Sequence, residues 1–254
     1  MFDKVEARLY VAADLGAGVV VPLAAEQAHY LRAVLRLGAG ARVAAFNGRD
    51  GEWLTALEPA GRQGAALRVA QPLRPQVAEP DLWLVFAPIK RARIDFLAQK
   101  ATELGVSALW PVMTRHTAME RVNEERLRAN AVEAAEQSDR LSVPAVRAVV
   151  KLPQALGAWP AGRRLIVCDE GGGGRPIAEA LAGWAGGPAA LLTGPEGGFS
   201  AEELALLRGL DFALPVSLGP RVLRADTAAL AALAVFQAIA GDWRTDRPAW
   251  KAHA

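Results

Sequence analysis

The residues best placed to do chemistry lie in two glycine-punctuated segments near the end of the chain. They are Leu192-Thr193-Gly194-Pro195-Glu196-Gly197-Gly198 and Leu218-Gly219-Pro220-Arg221-Val222-Leu223-Arg224-Ala225-Asp226-Thr227. Each follows an apolar run short enough for a buried strand, and each opens into a helix. Glycine lets backbone come close to a ligand, because no Cβ holds it away. Two such turns at neighbouring strand ends form the crevice in which α/β proteins hold small molecules.

No Gly-Lys-Ser/Thr follows the glycines, so the first turn is not a phosphate loop. The Glu196 carboxylate repels an anion and suits a cationic ligand, such as an adenosine-bearing sulfonium. Arg221 and Arg224 in the second turn suit an anion, either a phosphate or a developing oxyanion. Their plain alternative is pairing with Glu196 or another carboxylate. Asp226 or Thr227 is expected to cap the last helix, and Ser200 with Glu203 spells a capping box for a helix starting at Ala201.

The elements that must carry these turns alternate. After the proline-rich stretch 71–80, strands are expected at 82–87, 107–112, 164–168, 188–193 and 212–218. Helices are expected at about 94–104 and 124–138, and the alternation argues for a mainly parallel sheet covered by helices. Before residue 71 the pattern is mostly β, with strands at 8–11, 42–46 and 51–57 and one helix over 24–37, which reads as a small barrel with an embedded helix. The boundary falls in the proline-rich linker, giving domains 1–74 and 75–254. The helix following Asp226 is apolar on nearly every face and must be buried in a core or an oligomer interface.

Composition narrows the function. Hydrophobic residues make up 52% and charged residues 22% of 254, and the net charge is +2. That is a globular chain whose nucleic-acid partner, if any, is met by a local basic patch. One cysteine, Cys168 in an apolar run, reads as a buried inert thiol, and three histidines argue against a metal site. Met1–Glu6 lacks the apolar core of a signal peptide, and the run 228–236 is too short to cross a bilayer, so a cytoplasmic protein is expected. Arg32 and Arg36, four apart on the first-domain helix, and Lys90, Arg91 and Arg93 read as solvated faces unless they line one RNA groove. The tetraglycine 171–174 lacks dinucleotide-loop spacing and is set aside.

Together with three further segments these turns carry a resemblance. The segments are His29-Tyr30-Leu31-Arg32-Ala33-Val34-Leu35-Arg36-Leu37, then Gln99-Lys100-Ala101-Thr102-Glu103-Leu104-Gly105-Val106, then Glu133-Ala134-Ala135-Glu136-Gln137-Ser138 with Arg140. The chain resembles, nearly end to end, the bacterial 16S ribosomal RNA (uracil-N3) methyltransferases of the SPOUT class. The resemblance implies a C-terminal α/β trefoil knot, a smaller N-terminal PUA-like β-barrel, S-adenosylmethionine in the crevice, a homodimer, and 16S RNA or the 30S subunit as partner, with neither DNA nor membrane. It implies cofactor contacts from Leu192, Thr193, Gly194, Pro195, Glu196, Gly197, Gly198, Leu218, Gly219, Val222 and Leu223. Arg224, Asp226 and Arg221 become the catalytic candidates. Arg8, Arg32, Arg36, Lys90, Arg91 and Arg140 become RNA contacts.

Three departures stand out: Arg224-Ala225-Asp226-Thr227 where the family usually shows Arg-Thr-Glu-Thr, Thr114-Arg115-His116-Thr117 where Thr-Glu-Arg-Ser is common, and Leu127 in place of a tryptophan. A SPOUT-type enzyme acting on another RNA position and a non-catalytic assembly factor remain open alternatives.

Overall fold

The structure is a computed structural model that describes residues 5–61, 64–119 and 121–244, with Arg91 described by its backbone alone. The described residues fall into two compact units, one of residues up to Ala78 with Ala135–Val143, the other of Glu79–Ala134 with the residues from Pro144 onward.

The first unit is built on β1 (Ala7–Tyr10), β2 (Val20–Pro22), α1 (Ala25–His29), β3 (Arg42–Phe46), β4 (Glu52–Ala60) and β5 (Gly64–Arg74). The strands form one sheet in the order β1-β3-β4-β5-β2, in which β1 and β3 are parallel and the other pairs antiparallel. Leu31, Val43, Ala45, Leu57 and Leu67 form its core. The strand β5 runs into the stretch expected to be a linker. Pro72, which cannot donate to the ladder, sits between two register shifts against β4, where a missing amide is tolerated.

The expected helix over 24–37 is cut short. Its α-helical part ends at His29, a π-helical turn spans Tyr30–Val34, and Arg36 takes a left-handed φ of 57°. The Leu35 amide donates to the Tyr30 carbonyl and the Leu37 amide to Leu31. This wider winding turns Val34 and Leu35 out to solvent while Leu31 stays buried. Arg32 and Arg36 therefore do not share one helix face.

The second unit contains β6 (Leu82–Phe86), α2 (Arg91–Glu103), β7 (Ala108–Met113), the start of α3 (Glu124–Gln137), β8 (Ala145–Val146), β9 (Val150–Lys151), α4 (Leu152–Gly157), β10 (Arg164–Cys168), β11 (Arg175–Pro176), α5 (Ile177–Leu181), β12 (Ala189–Thr193), α6 (Ala201–Arg208), β13 (Ala213–Ser217) and α7 (Ala225–Ile239). Its sheet runs β11-β13-β10-β12-β6-β7-β8, every pair parallel, with β9 also beside β7. Such a sheet needs both faces covered, which is why its central strands read as continuous apolar runs.

Near the amino ends of these strands an aromatic stack closes the core. Trp110 lies flat on Trp159, with centroids 6.0 Å apart, and Trp159 lies on Phe212 at 5.6 Å. The Arg163 and Arg147 guanidinium groups cover Trp83 at 3.6 and 4.3 Å. The carboxyl ends are left for the crevice.

The capping box at the start of α6 is complete. Ser200 Oγ accepts from the Glu203 amide, and Glu203 Oε2 accepts from the Ser200 amide. Ser200→Ala should destabilise the fold by about 1 kcal/mol in urea unfolding.

Candidate active site

Three parallel strands, β10, β12 and β13, end at one crevice of about 760 Å³. That volume is typical of small-molecule sites. The turn after β12 supplies Thr193, Gly194, Pro195, Glu196, Gly197 and Gly198, and the turn after β13 supplies Leu218, Gly219, Pro220, Arg221, Val222, Leu223, Arg224 and Ala225. Thus the two glycine-punctuated segments, the second beginning 20 residues after the first ends, face one cavity across the end of β10, which lies between their strands in the sheet.

The first turn is held from three sides. Glu170 Oε1 accepts from the Phe199 amide at 2.7 Å. The His116 ring donates through Nδ1 to the Gly198 carbonyl at 3.1 Å, since a carbonyl oxygen only accepts. Glu203 Oε1 accepts from the Arg115 amide at 2.8 Å, tying the loop after β7 to α6. Gly198 has a φ of 70°, and a Cβ there would lie 2.5 Å from Glu170 Oε1. Any side chain would be strained and would break that grip.

The expected helix caps at Asp226 and Thr227 are not what forms. The N-cap of α7 is Arg224, without a side-chain cap bond. Asp226 is the second helical residue, and its Oδ1 accepts from the Thr227 amide at 3.0 Å. A carboxylate in the first turn is favoured there by the helix dipole. Asp226 does not line the crevice; its Oδ2 lies 3.8 Å from Nε of Arg93, which does. An arginine on α2, not Arg221 or Arg224, is thus its neighbour. Among the described residues the side chains of Arg221 and Arg224 make no hydrogen bond or ion pair, and both residues are exposed at the crevice rim. Pairing with Glu196, their plain alternative, does not occur. Glu196 Oε1 instead receives the Lys90 amide at 3.4 Å.

Other candidates move. Leu192 is fully buried and packs in the core with Val85, Trp110 and Phe199, so its side chain gives nothing to the crevice. Arg8 is no RNA contact. Its Nε donates to Glu52 at 2.6 Å, and its terminal nitrogens donate to the carbonyls of Ala135, Glu136 and Arg140 at 2.7–2.9 Å. Burial pulls its pKa down while Glu52 raises it, leaving the net shift downward. Arg140 is likewise buried at 7% exposure and donates to Ser142 Oγ, so it presents no charge to RNA. Arg32 is exposed, donates to the Gly64 carbonyl at 3.3 Å and lines a second cavity with His29. Arg36 and Lys90 are exposed, and the side chain of Arg91 lies outside the described residues.

The crevice also takes residues that the sequence reading does not assign to it: Arg93, His116, Cys168, Asp169, Glu170 and Gly172. The end of β10 obeys the same rule as the other two turns, an apolar run followed by an acid and glycines, and that signal was available. The tetraglycine set aside earlier is structural and lies beside the site. A Cβ on Gly174 would overlap the Val216 backbone, and one on Gly173 would meet the Arg208 guanidinium. Arg208 in turn donates to the buried Asp169 carboxylate at 2.7 and 2.9 Å.

Cys168 sits at the crevice floor, buried, and its thiol is pushed up to about 12 chiefly by desolvation. A thiolate-selective reagent at pH 8 should leave the folded protein unlabelled and modify Cys168 only in denaturant. No group of histidine, cysteine and carboxylate side chains among the described residues could hold a metal, and no helix among them is long and apolar enough to cross a membrane.

This fold and crevice have known relatives. The RNA methyltransferase domain family matches residues 77–237, and the RNA methyltransferase PUA domain family matches residues 23–70. Ribosomal RNA small subunit methyltransferase E of Rickettsia conorii is 31% identical over 228 residues, covering 89% of this chain and 93% of that one. The protein of the same name from Synechocystis is 32% identical, covering 91% and 77%. Among solved structures, a methyltransferase from Legionella pneumophila in complex with SAM superposes with a TM-score of 0.82 at 30% identity, covering 93% of this chain and 98% of that one. The ribosomal RNA small subunit methyltransferase E of Neisseria gonorrhoeae, bound to S-adenosyl methionine, gives 0.79 at 27%, covering 93% and 99%. The chain belongs to the ribosomal RNA small subunit methyltransferase E family, and its second unit is an RNA methyltransferase domain.

Proposed function

We propose that this enzyme uses S-adenosylmethionine to methylate N3 of one uridine in the 16S RNA of the small ribosomal subunit. The observation that carries the reading is the crevice formed by both glycine turns, lined by carboxylates and by exposed guanidinium groups that make no ion pair among the described residues. The residues present fit the cofactor. Bare backbone at Gly194, Gly197 and Gly198 leaves room for close approach, Leu218, Val222 and Leu223 supply apolar contact, and Glu170 and Glu196 supply charge opposite to a sulfonium. Bound S-adenosylmethionine supplies an electrophilic methyl group.

The rest falls to the chain. N3 lies on the pairing edge, so the uridine must be unpaired and turned into the pocket. It must also lose its proton, leaving negative charge on the ring. Arg224 and Arg221, exposed at the rim and free of partners among the described residues, are placed to meet that charge. Thr193, Gly194, Pro195, Glu196, Gly197, Gly198, Leu218, Gly219, Val222 and Leu223 hold the cofactor, with Leu192 contributing backbone alone. Arg32, Arg36 and Lys90 are the RNA contacts that stay on the surface.

We assign residues 1–74 to a PUA-like barrel and 75–254 to a SPOUT trefoil-knot domain. The molecule acts in the cytoplasm as a homodimer. Support for the dimer comes from α7, where Ala231, Ala234, Val235 and Ala238 keep an apolar face partly open to solvent. The test is methyl transfer to unmodified 30S particles and to naked 16S RNA, with the product nucleoside identified by mass. 3-Methyluridine is expected. A ribose-methylated product, or another methylated base, would assign the crevice to a different RNA position. No donor binding at all would favour the assembly-factor reading.

A further inference from the structure

We propose that Arg93 is a catalytic residue of this crevice, a cation oriented by Asp226 to meet the anionic pyrimidine. The inference rests on the methyl-transfer reading above and reassigns the acid. Asp226 acts as a positioning residue, not as a proton acceptor.

The geometry is particular. Arg93 is the third residue of α2 and Asp226 the second residue of α7. The two helices pack together, bringing their amino ends to the same side of the crevice. A cation in the first turn of a helix opposes the helix dipole, and the first turn of α2 carries no acid of its own. Asp226 offsets that penalty from the neighbouring helix.

The pair does not consume the guanidinium. At 3.8 Å it is an ion pair without a hydrogen bond, and the Arg93 side chain makes no hydrogen bond among the described residues. Its donors are therefore available while its charge is held in place. An arginine serving only to staple two helices would spend those donors on backbone carbonyls or a bidentate carboxylate, as Arg8 and Arg208 do. About a third of the Arg93 side chain is open, and it lines the crevice.

The charged groups around the crevice are Lys90, Arg93, Arg221 and Arg224 on the positive side and Asp169 (paired with Arg208), Glu170, Glu196 and Asp226 on the negative, with His116 the titratable ring. Arg93 lines the cavity and Asp226 does not. A base entering from the rim therefore meets Arg93 before it meets that carboxylate. A fixed cation next to the ring lowers the pKa of its N3 proton, so loss of that cation must show in the pH dependence.

The experiment compares Arg93→Ala, Asp226→Asn, Asp226→Glu and the double variant Arg93→Ala/Asp226→Asn with wild type. Arg93→Ala should lower kcat about 100-fold. It should move the rising limb of the kcat–pH profile up by about one pH unit. Donor affinity and the unfolding midpoint should stay at wild-type values. Asp226→Asn should lower kcat about tenfold in the wild-type background and not at all when Arg93 is absent, because the two act as one unit. Asp226→Glu should recover most of the loss.

Measured without the methyl donor, binding of a short uridine-containing RNA should tighten with rising pH in wild type and lose that dependence in Arg93→Ala. An unmoved pH limb, additive losses, or a fall in donor affinity would overturn the proposal. If Arg93→Ala unfolds early, Arg93→Gln carries the same pH test, since it keeps much of the stem but removes the charge. Failure of the underlying reading looks different: the wild-type enzyme itself would yield a nucleoside other than 3-methyluridine.

Discussion

Arg224→Ala is expected to reduce methyl transfer by about 10²–10³-fold while leaving S-adenosylmethionine affinity nearly unchanged. The side chain is exposed at the crevice rim and, among the described residues, has no partner whose loss would unsettle the fold. Its removal takes away charge that matters most when the pyrimidine becomes anionic. Calorimetric titration of the donor beside a tritium-transfer assay separates the two effects. Equal losses in both would place Arg224 in the cofactor pocket instead. Arg224→Lys should recover only part of the rate, because a single ammonium cannot reproduce a two-pronged donor.

The largest expected loss of stability lies far from this chemistry in sequence. Glu52 is 6% exposed and accepts from both Arg8 and Arg74, the Arg74 bonds being 2.8 and 3.1 Å. Arg74 also donates to the Asp139 carbonyl. Glu52→Ala removes the carboxylate that bridges the two guanidinium groups and leaves Arg8 the more distant Asp139 carboxylate at 3.8 Å. Breaking a buried ion pair costs about 3–5 kcal/mol, and the nearby Asp139 carboxylate puts the loss at the lower end of that range. A fall of that size in the free energy of urea unfolding is expected, and a change under 1 kcal/mol would show that water reaches the site and screens it. Glu52→Gln, which keeps the shape, should lose less.

Much of this was legible from residue order. Continuous apolar runs at 164–168 and 189–193 became β10 and β12 because a doubly covered parallel strand has no polar face. Ser200 and Glu203 announced α6 because a capping box is a purely local signal. The pair of glycine turns pointed to the crevice for the same reason: turn chemistry is written in a few consecutive residues.

What was not legible depends on partners distant in sequence. Arg8 looked like a surface base, and only the fold brings Glu52 and the carbonyls of 135–140 around it. Arg140 reads as a surface base in the same way, and the fold buries it. The π-helical turn at Tyr30–Val34 has no local signature, as its apolar spacing fits an ordinary helix nearly as well. Asp226 looked like a cap because acids favour that position, yet the chain enters α7 two residues earlier, with Arg224 as N-cap. Its link to Arg93 joins residues 133 positions apart, beyond any local pattern.

Everything functional here turns on one cavity serving as the place where donor and base meet. Crystals of this chain grown with S-adenosylmethionine address that directly. The donor should lie against Thr193–Gly198 and Leu218–Leu223, its methyl group directed toward the side where Arg93 and Arg224 stand. Electron density for the donor anywhere else, or in this cavity with its methyl group turned away from both arginines, would contradict the account.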